Sequence, residues 1–227
     1  MIIPEQLPTF KCEMCGQCCR MSPISVLPHE VVILEKLAEV LSLEVKFEPG
    51  YMLHDSISKV NIALSFVMQL ESGKCVFLKE SKCSIHNIYK PYICRSFPYI
   101  PRHVKYNIDD INKYIYATTD HGLSLACPVV RRDRESLEKY SLRNTPFINV
   151  IIRYYKDGYN AAMEAENTRS LMLTLLSKIW REGFIEIETA RPRMYVMNLY
   201  EFLRRFYPDL PNILGIDRVF SRMRTWM

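Results

Sequence analysis

Apolar residues recur at helical spacing through residues 28–43 (PHEVVILEKLAEVLSL), where Val31, Leu34, Leu37, Ala38 and Leu41 share one side. Pro28 stands near the first turn, where a helix tolerates proline because the missing N–H has no partner to lose. The pattern predicts an amphipathic helix. Glu48-Pro49-Gly50 then breaks the chain, and residues 62–70, 75–78, 105–108 and 114–118 read as strands from their β-branched and aromatic content between turn signals. Beyond Cys127-Pro128 the character changes. Residues 131–157 and 161–180 are rich in helix formers, with Leu, Ile and Tyr at i, i+3 and i+4, and Thr145-Pro146 divides the first stretch as an N-cap followed by a first-turn proline. A short strand over 184–188, a helix opening at Arg191-Pro192 and running to about Phe206, and a last helix over 216–223 complete the pattern. The expected fold class is α+β: a small cysteine-rich metal-binding α+β region, residues 1–130, followed by a mainly α-helical C-terminal region, residues 131–227.

Composition narrows the class. A chain of 227 residues with 48% hydrophobic and 24% charged residues can bury a core of its own, so a metal need not be all that holds it folded. No apolar run reaches membrane-spanning length, and MIIPEQLPTF has neither a basic leader nor an apolar stretch before a cleavage site, so the expectation is a cytoplasmic protein with reduced thiols. The net charge of +5 is concentrated at the C-terminal end, where residues 191–227 carry seven arginines against three carboxylates. This basic helical surface is expected to meet a redox or protein partner; no nucleic-acid motif accompanies it.

The candidate chemistry lies in the eight cysteines. Cys12, Cys15, Cys18 and Cys19 fall within eight residues, and Cys75, Cys83, Cys94 and Cys127 follow. Two-residue gaps let successive thiolates curl around one ion or cluster, because a short loop can turn its sulfurs inward while its N–H groups also point at the anionic centre. A triple followed by a remote Cys-Pro is how ferredoxin-like cubane sites are assembled, and Cys12, Cys15, Cys18 and Cys127 fit that form. In an extended backbone Cys19 diverges from Cys18 and is expected to join Cys75, Cys83 and Cys94 at a second site; exchange of Cys18 with Cys19, and one cluster that leaves some of these thiols free, are the open alternatives. Zinc remains open as the alternative, since CxxC pairs suit four-thiolate zinc equally well. Arg95, beside Cys94, is a candidate to stabilise an anionic cluster or hold an anionic ligand, and His86, three residues after Cys83, is a candidate ligand or hydrogen-bond donor to sulfur. Tyr89, Tyr92, Phe97 and Tyr99 are expected to pack around the centre.

Two blocks, CEMCGQCC from Cys12 and CVFLKESKCSIHNIYKPYICRSFP from Cys75 to Pro98, resemble the CxxCxxCC cysteine-cluster family of YkgJ type, whose members are zinc- or iron-chelating domain proteins. Lys90 stands where that family usually has arginine and His86 where it usually has tyrosine, and Cys127-Pro128 runs into Val129-Val130 rather than a glycine-rich segment. The main functional expectation is a metal-binding protein holding one or two cysteine-ligated iron–sulfur clusters (4Fe-4S) for electron transfer or redox sensing. The resemblance also implies an alternative, an S-adenosylmethionine-dependent protein-lysine N-methylase-like enzyme, although no glycine-rich methyl-donor loop is present. A third expectation is a structural zinc-binding interaction module.

Overall fold

The computed structural model describes residues 7–20, 24–141 and 145–226. A 3₁₀ turn, Gln17–Arg20, precedes β1 (Ile24–Val26), α1 (Pro28–Val40), β2 (Phe47–Pro49), β3 (Met52–Asp55), β4 (Val60–Ala63) and β5 (Phe66–Met68). Next come β6 (Leu78–Lys79), β7 (Lys82–Cys83), α2 (Tyr92–Ser96) and a long hairpin of β8 (Tyr99–Asp109) and β9 (Tyr114–Leu123). Helices dominate from there: α3 (Pro128–Ser141), α4 (Phe147–Tyr154) and α5 (Lys156–Arg181), then β10 (Ile187–Thr189), β11 (Val196–Asn198), α6 (Leu199–Arg204), α7 (Leu210–Ile213) and α8 (Ile216–Trp226). The fold is mixed α+β, sheet-rich first and helix-rich after Cys127. Among the described residues no helix is long and apolar enough to cross a membrane.

The sheets grow from one bent ribbon. Phe47↔Met68 and Pro49↔Phe66 pair β2 with β5, and Met52↔Ala63 through Asp55↔Val60 pair β3 with β4 in the same antiparallel register. The single strand expected over 62–70 is therefore two, broken at Leu64-Ser65, where the Ser65 hydroxyl takes the Tyr51 N–H at 3.0 Å and the Ser65 carbonyl takes the Gly50 N–H at 2.8 Å. The bend lets one chain serve two sheets. At one end β1 adds to β5, and at the other β10 and β11 flank β3 and β4, β11 running parallel to β4.

Several other expectations shift for identifiable reasons. The helix over 28–43 ends at Val40, residues 105–108 and 114–118 are parts of the longer β8–β9 hairpin, and the strand over 75–78 shrinks to Leu78–Lys79 because Cys75 and Phe77 turn to meet other partners. Pro146 rather than Thr145 is the N-cap of α4, the strand at 184–188 lies at Ile187–Thr189, and α8 extends to Trp226. No helix opens at Pro192. The side chain of Asn61 instead donates to the Arg191 carbonyl at 2.6 Å and accepts the Arg191 N–H at 3.1 Å, holding the chain extended until Asn198 caps α6 through the Tyr200 N–H at 2.8 Å. One buried cluster joins Leu34, Leu37, Ile62 and Phe77 to Leu176, Trp180 and Leu203, so α5 and α6 close the core over the sheets.

Two buried ionisable groups open α1. The Glu30 carboxylate accepts from Leu27 N–H at 2.9 Å, Tyr92 N–H at 2.8 Å and the Tyr89 hydroxyl at 2.8 Å, tying the start of α1 to the segment that enters α2. Burial raises its pKa, opposed by the Leu27 and Tyr92 N–H groups and the Tyr89 hydroxyl. His29 is buried with Nδ1 unpartnered among the described residues, and burial lowers its pKa from 6.5 to about 3.

Glu30→Ala strands these three donors and is expected to cost about 2–4 kcal/mol, given roughly 1–3 kcal/mol for each buried group left unpaired, minus what water recovers. Thermal melts beside Glu30→Gln check this, and an unchanged melting temperature in the alanine variant contradicts it. His29 adds an acid dependence. The unfolded chain takes up a proton near pH 6.5 that the folded chain refuses until about 3, so this contribution is complete above 6.5 and is lost as pH falls through the window. The slope is at most about 1.4 kcal/mol per pH unit. Urea midpoints measured from pH 7 to 4 should fall less steeply for His29→Leu than for the parent; parallel curves contradict a neutral buried His29.

Candidate metal centre

The first cysteine loop is shaped by one glycine and docked by two hydrogen bonds. Gly16 adopts φ +68°, and a Cβ there would come within 2.7 Å of Arg20 Nη1 and 3.2 Å of the Ser81 carbonyl oxygen. Its carbonyl accepts the Cys19 N–H at 3.1 Å, which winds residues 17–20 into the 3₁₀ turn. The Cys19 carbonyl then accepts the Cys75 N–H at 2.8 Å, and Arg20 Nη2 donates to the Glu80 carbonyl at 2.8 Å. The loop thus lies against the β6–β7 hairpin, where Leu78 pairs with Cys83. Cys94 arrives on α2, the helix whose entry Glu30 holds through Tyr92.

These contacts bring Cys18, Cys19, Cys75, Cys83 and Cys94 to the wall of one chamber of about 410 Å³, which Cys12, His86 and Lys90 also line. Met68, Phe77, Leu78 and Ile85 supply apolar lining. The Cys18 and Cys19 sulfurs are 3.9 Å apart. Divergence of these two, expected for extended backbone, does not occur because the 3₁₀ turn replaces the strand-like alternation. Among the described residues no group of three or more Cys, His, Asp and Glu side chains is arranged tightly enough to hold a single metal ion. The thiols are spread around a volume, and only the Cys18–Cys19 pair has closed up.

Proton affinity in the chamber is uneven. The shared hydrogen bond from Cys19 pulls Cys18 down to about 6, against its burial and with help from the Lys90 charge. The same bond and burial push Cys19 far up, and the Cys18, Cys94 and Cys75 charges add to this. Burial raises Cys75 to about 11, opposed by the Phe77 N–H; it raises Cys83, opposed by the Ile85 N–H and Lys90; and it lifts Cys94 well above the ordinary thiol value, with Cys75 and Cys18 adding to it. Proton loss is thus favoured at Cys18 and disfavoured at the other four thiols, and positive charge added among them favours it.

Cys15 and Cys127 form a second group with Cys12, which also lines the chamber. Cys127 is buried immediately before α3; burial raises its pKa, the Val130 and Val129 N–H groups at the helix start oppose that, and the Cys15 and Cys12 charges reinforce it. Phe10 anchors the approach: its N–H donates to the Tyr154 carbonyl at 2.7 Å and its ring lies 4.4 Å from that of Tyr155. Glu13, between the two exposed cysteines, pairs with Arg132 of α3 at 2.7 Å. Cys127 thus reaches Cys12 and Cys15 across more than a hundred residues, whereas Cys18, grouped with them from the sequence, turns to the other chamber.

Arg95 faces elsewhere. Its guanidinium pairs with Glu164 of α5 at 2.7 Å and lies 4.5 Å from the Tyr92 ring centroid, outside the thiol wall. Its helix position explains this, since the side chain after Cys94 projects about 100° away around α2. His86 is exposed at the chamber rim. Tyr89 and Tyr92 serve Glu30, and Phe97 lines a neighbouring cavity. Lys90 is the chamber residue that sequence reasoning did not single out as a candidate; its signal is its place immediately before Pro91 in the second cysteine block.

Comparison with known proteins places this geometry. No curated protein and no solved structure matches the chain. A family model described as "CxxCxxCC: Putative zinc- or iron-chelating domain" matches residues 11–121, the stretch that supplies every cysteine except Cys127.

Proposed function

We propose that the protein is a thiolate metalloprotein that holds an iron–sulfur cluster in the five-cysteine chamber and serves electron transfer or redox sensing. The observation that carries this is the convergence of Cys18, Cys19, Cys75, Cys83 and Cys94, from three separate chain segments, on one chamber of about 410 Å³. The donor set suits such a group: thiols are soft ligands, and five leave one to spare beyond the four a cluster takes. A lone tetrahedral zinc ion needs four sulfurs about 2.3 Å from one point, hence roughly 3.8 Å from one another; Cys18 and Cys19 are 3.9 Å apart, and among the described residues no three ligands are gathered tightly enough. When bound, an iron–sulfur cluster supplies one-electron transfer. The chain's part is to bind through thiolates, to offset their charge with Lys90, and to keep water away with Phe77, Leu78 and Ile85.

Cys12, Cys15 and Cys127 are proposed as a second, three-thiolate position, more open to solvent on its Cys12–Cys15 side. Exposed Arg218, Arg222 and Arg224 on α8 are proposed to dock an acidic protein partner. The Cys18–Cys19 separation of 3.9 Å favours one second reading, a zinc ion taking these two sulfurs in a structural site.

Visible absorption with iron, acid-labile sulfide and zinc analysis of protein purified without oxygen tests the proposal. The expected result is a brown protein with iron and sulfide in comparable amounts, and a colourless protein with stoichiometric zinc selects the second reading. Cys75→Ser should lose most of the chamber's metal and Cys127→Ser should retain it, because a serine hydroxyl is a poor ligand for either metal and Cys127 lies in the other group. His86→Ala should change metal content by less than twofold. Full retention by Cys75→Ser overturns the chamber assignment, and complete loss in His86→Ala would make His86 a primary ligand.

A further inference from the structure

A second cavity lies across the thiol wall. It measures about 350 Å³, a size typical of small-molecule sites, and it shares Cys18, Cys19, Ile24 and Cys94 with the thiol chamber, so these side chains form a partition between the two spaces. Its remaining lining comes mostly from α2 and the start of β8, with Ser25 of β1 and Ser124 after β9. Ile93, Phe97, Ile100 and Val104 make it chiefly apolar, and Arg102 is the one full cation in its wall.

The placement of Arg102 is built into the hairpin. The β8–β9 ladder pairs Pro101 with His121 and His103 with Asp120, leaving Arg102 as the extra residue of a β-bulge. A bulge of this kind re-aims its side chain. The Arg102 side chain lies flat on Gly122, where a Cβ would meet its Nε at 2.1 Å and its guanidinium carbon at 2.5 Å, so only glycine admits it. Among the described residues no hydrogen bond or ion pair occupies the guanidinium. An exposed guanidinium resting on Gly122 at the edge of an apolar cavity is complementary to a ligand with one anionic end and an apolar body. The fork of N–H donors matches a carboxylate.

We propose that this cavity binds a small amphipathic carboxylate, with the carboxylate on Arg102 and the apolar body against Ile93, Phe97 and Val104, reaching toward Cys18, Cys19 and Cys94. An occupant of this cavity would lie beside any metal held by the shared thiols Cys18, Cys19 and Cys94.

Calorimetric titration of the full-length protein with octanoate and with its neutral analogue octanamide tests this. The expected result is octanoate binding at least tenfold tighter than octanamide, the preference disappearing in Arg102→Gln, part of it surviving in Arg102→Lys, and both ligands weakened in Val104→Trp, which fills the space. Thermal melts show whether each variant is folded, and Gly122→Ala, which displaces the guanidinium without removing it, should reproduce the Arg102→Gln result. No octanoate binding, equal binding of the two ligands, or an undiminished preference in folded Arg102→Gln overturns the proposal. Metal content is measured on the same samples: unchanged content in Arg102→Gln supports a pocket distinct from the thiol site, and loss of metal would make Arg102 a support of that site and overturn the pocket.

Discussion

Five thiols facing one chamber cannot all surrender their protons without a compensating cation. The hydrogen bond between Cys18 and Cys19 lowers Cys18 and raises Cys19, with Lys90 assisting at Cys18, while burial and neighbouring sulfur charge raise Cys75, Cys83 and Cys94. A soft cation inserted among the sulfurs reverses this, since it displaces the protons and turns repulsion between thiolates into shared attraction. Metal affinity on this account rises with pH. Thiols of this number and burial are poorly suited to remaining empty.

The rest of the fold brings those five sulfurs together. The ribbon of β2–β3 and β4–β5 supports β1, which leads into α1, and Glu30 at the head of α1 holds the approach to α2 and therefore Cys94. The 3₁₀ turn of Cys18 and Cys19 is held to Cys75 by a single backbone hydrogen bond. Residues far along the chain take part: β10 and β11 complete the sheet of β3 and β4, and α5 packs on α2 and β9. Disturbance of α5 would reach the thiol wall through α2, without any ligand on α5 itself.

Much of this was legible in the sequence. Helical periodicity marks α1, α3, α4, α5 and α8, because each buries a continuous apolar stripe, and the cysteine spacings identify the chain segments that meet. The division of cysteines between groups was not legible. Whether Cys18 follows Cys15 or Cys19 depends on the turn at Gly16, and that turn depends on Ser81 and Glu80, more than sixty residues away. The start of α6 was hidden in the same way, since the extended course of residues 191–198 is imposed by Asn61 and β4 and leaves no local signal. Arg102 gave none either, because a bulge is set by the register of two strands rather than by either one.

The account rests on five cysteines acting as one set. Mass-spectrometric mapping of alkylated cysteines, on protein prepared without oxygen before and after treatment with a chelator, tests this most directly. Cys18, Cys19, Cys75, Cys83 and Cys94 should be protected together and become reactive together once metal is removed, with Cys12, Cys15 and Cys127 free to follow a separate course. Alkylation of the five at unrelated rates, unaffected by the chelator, would contradict the shared metal centre.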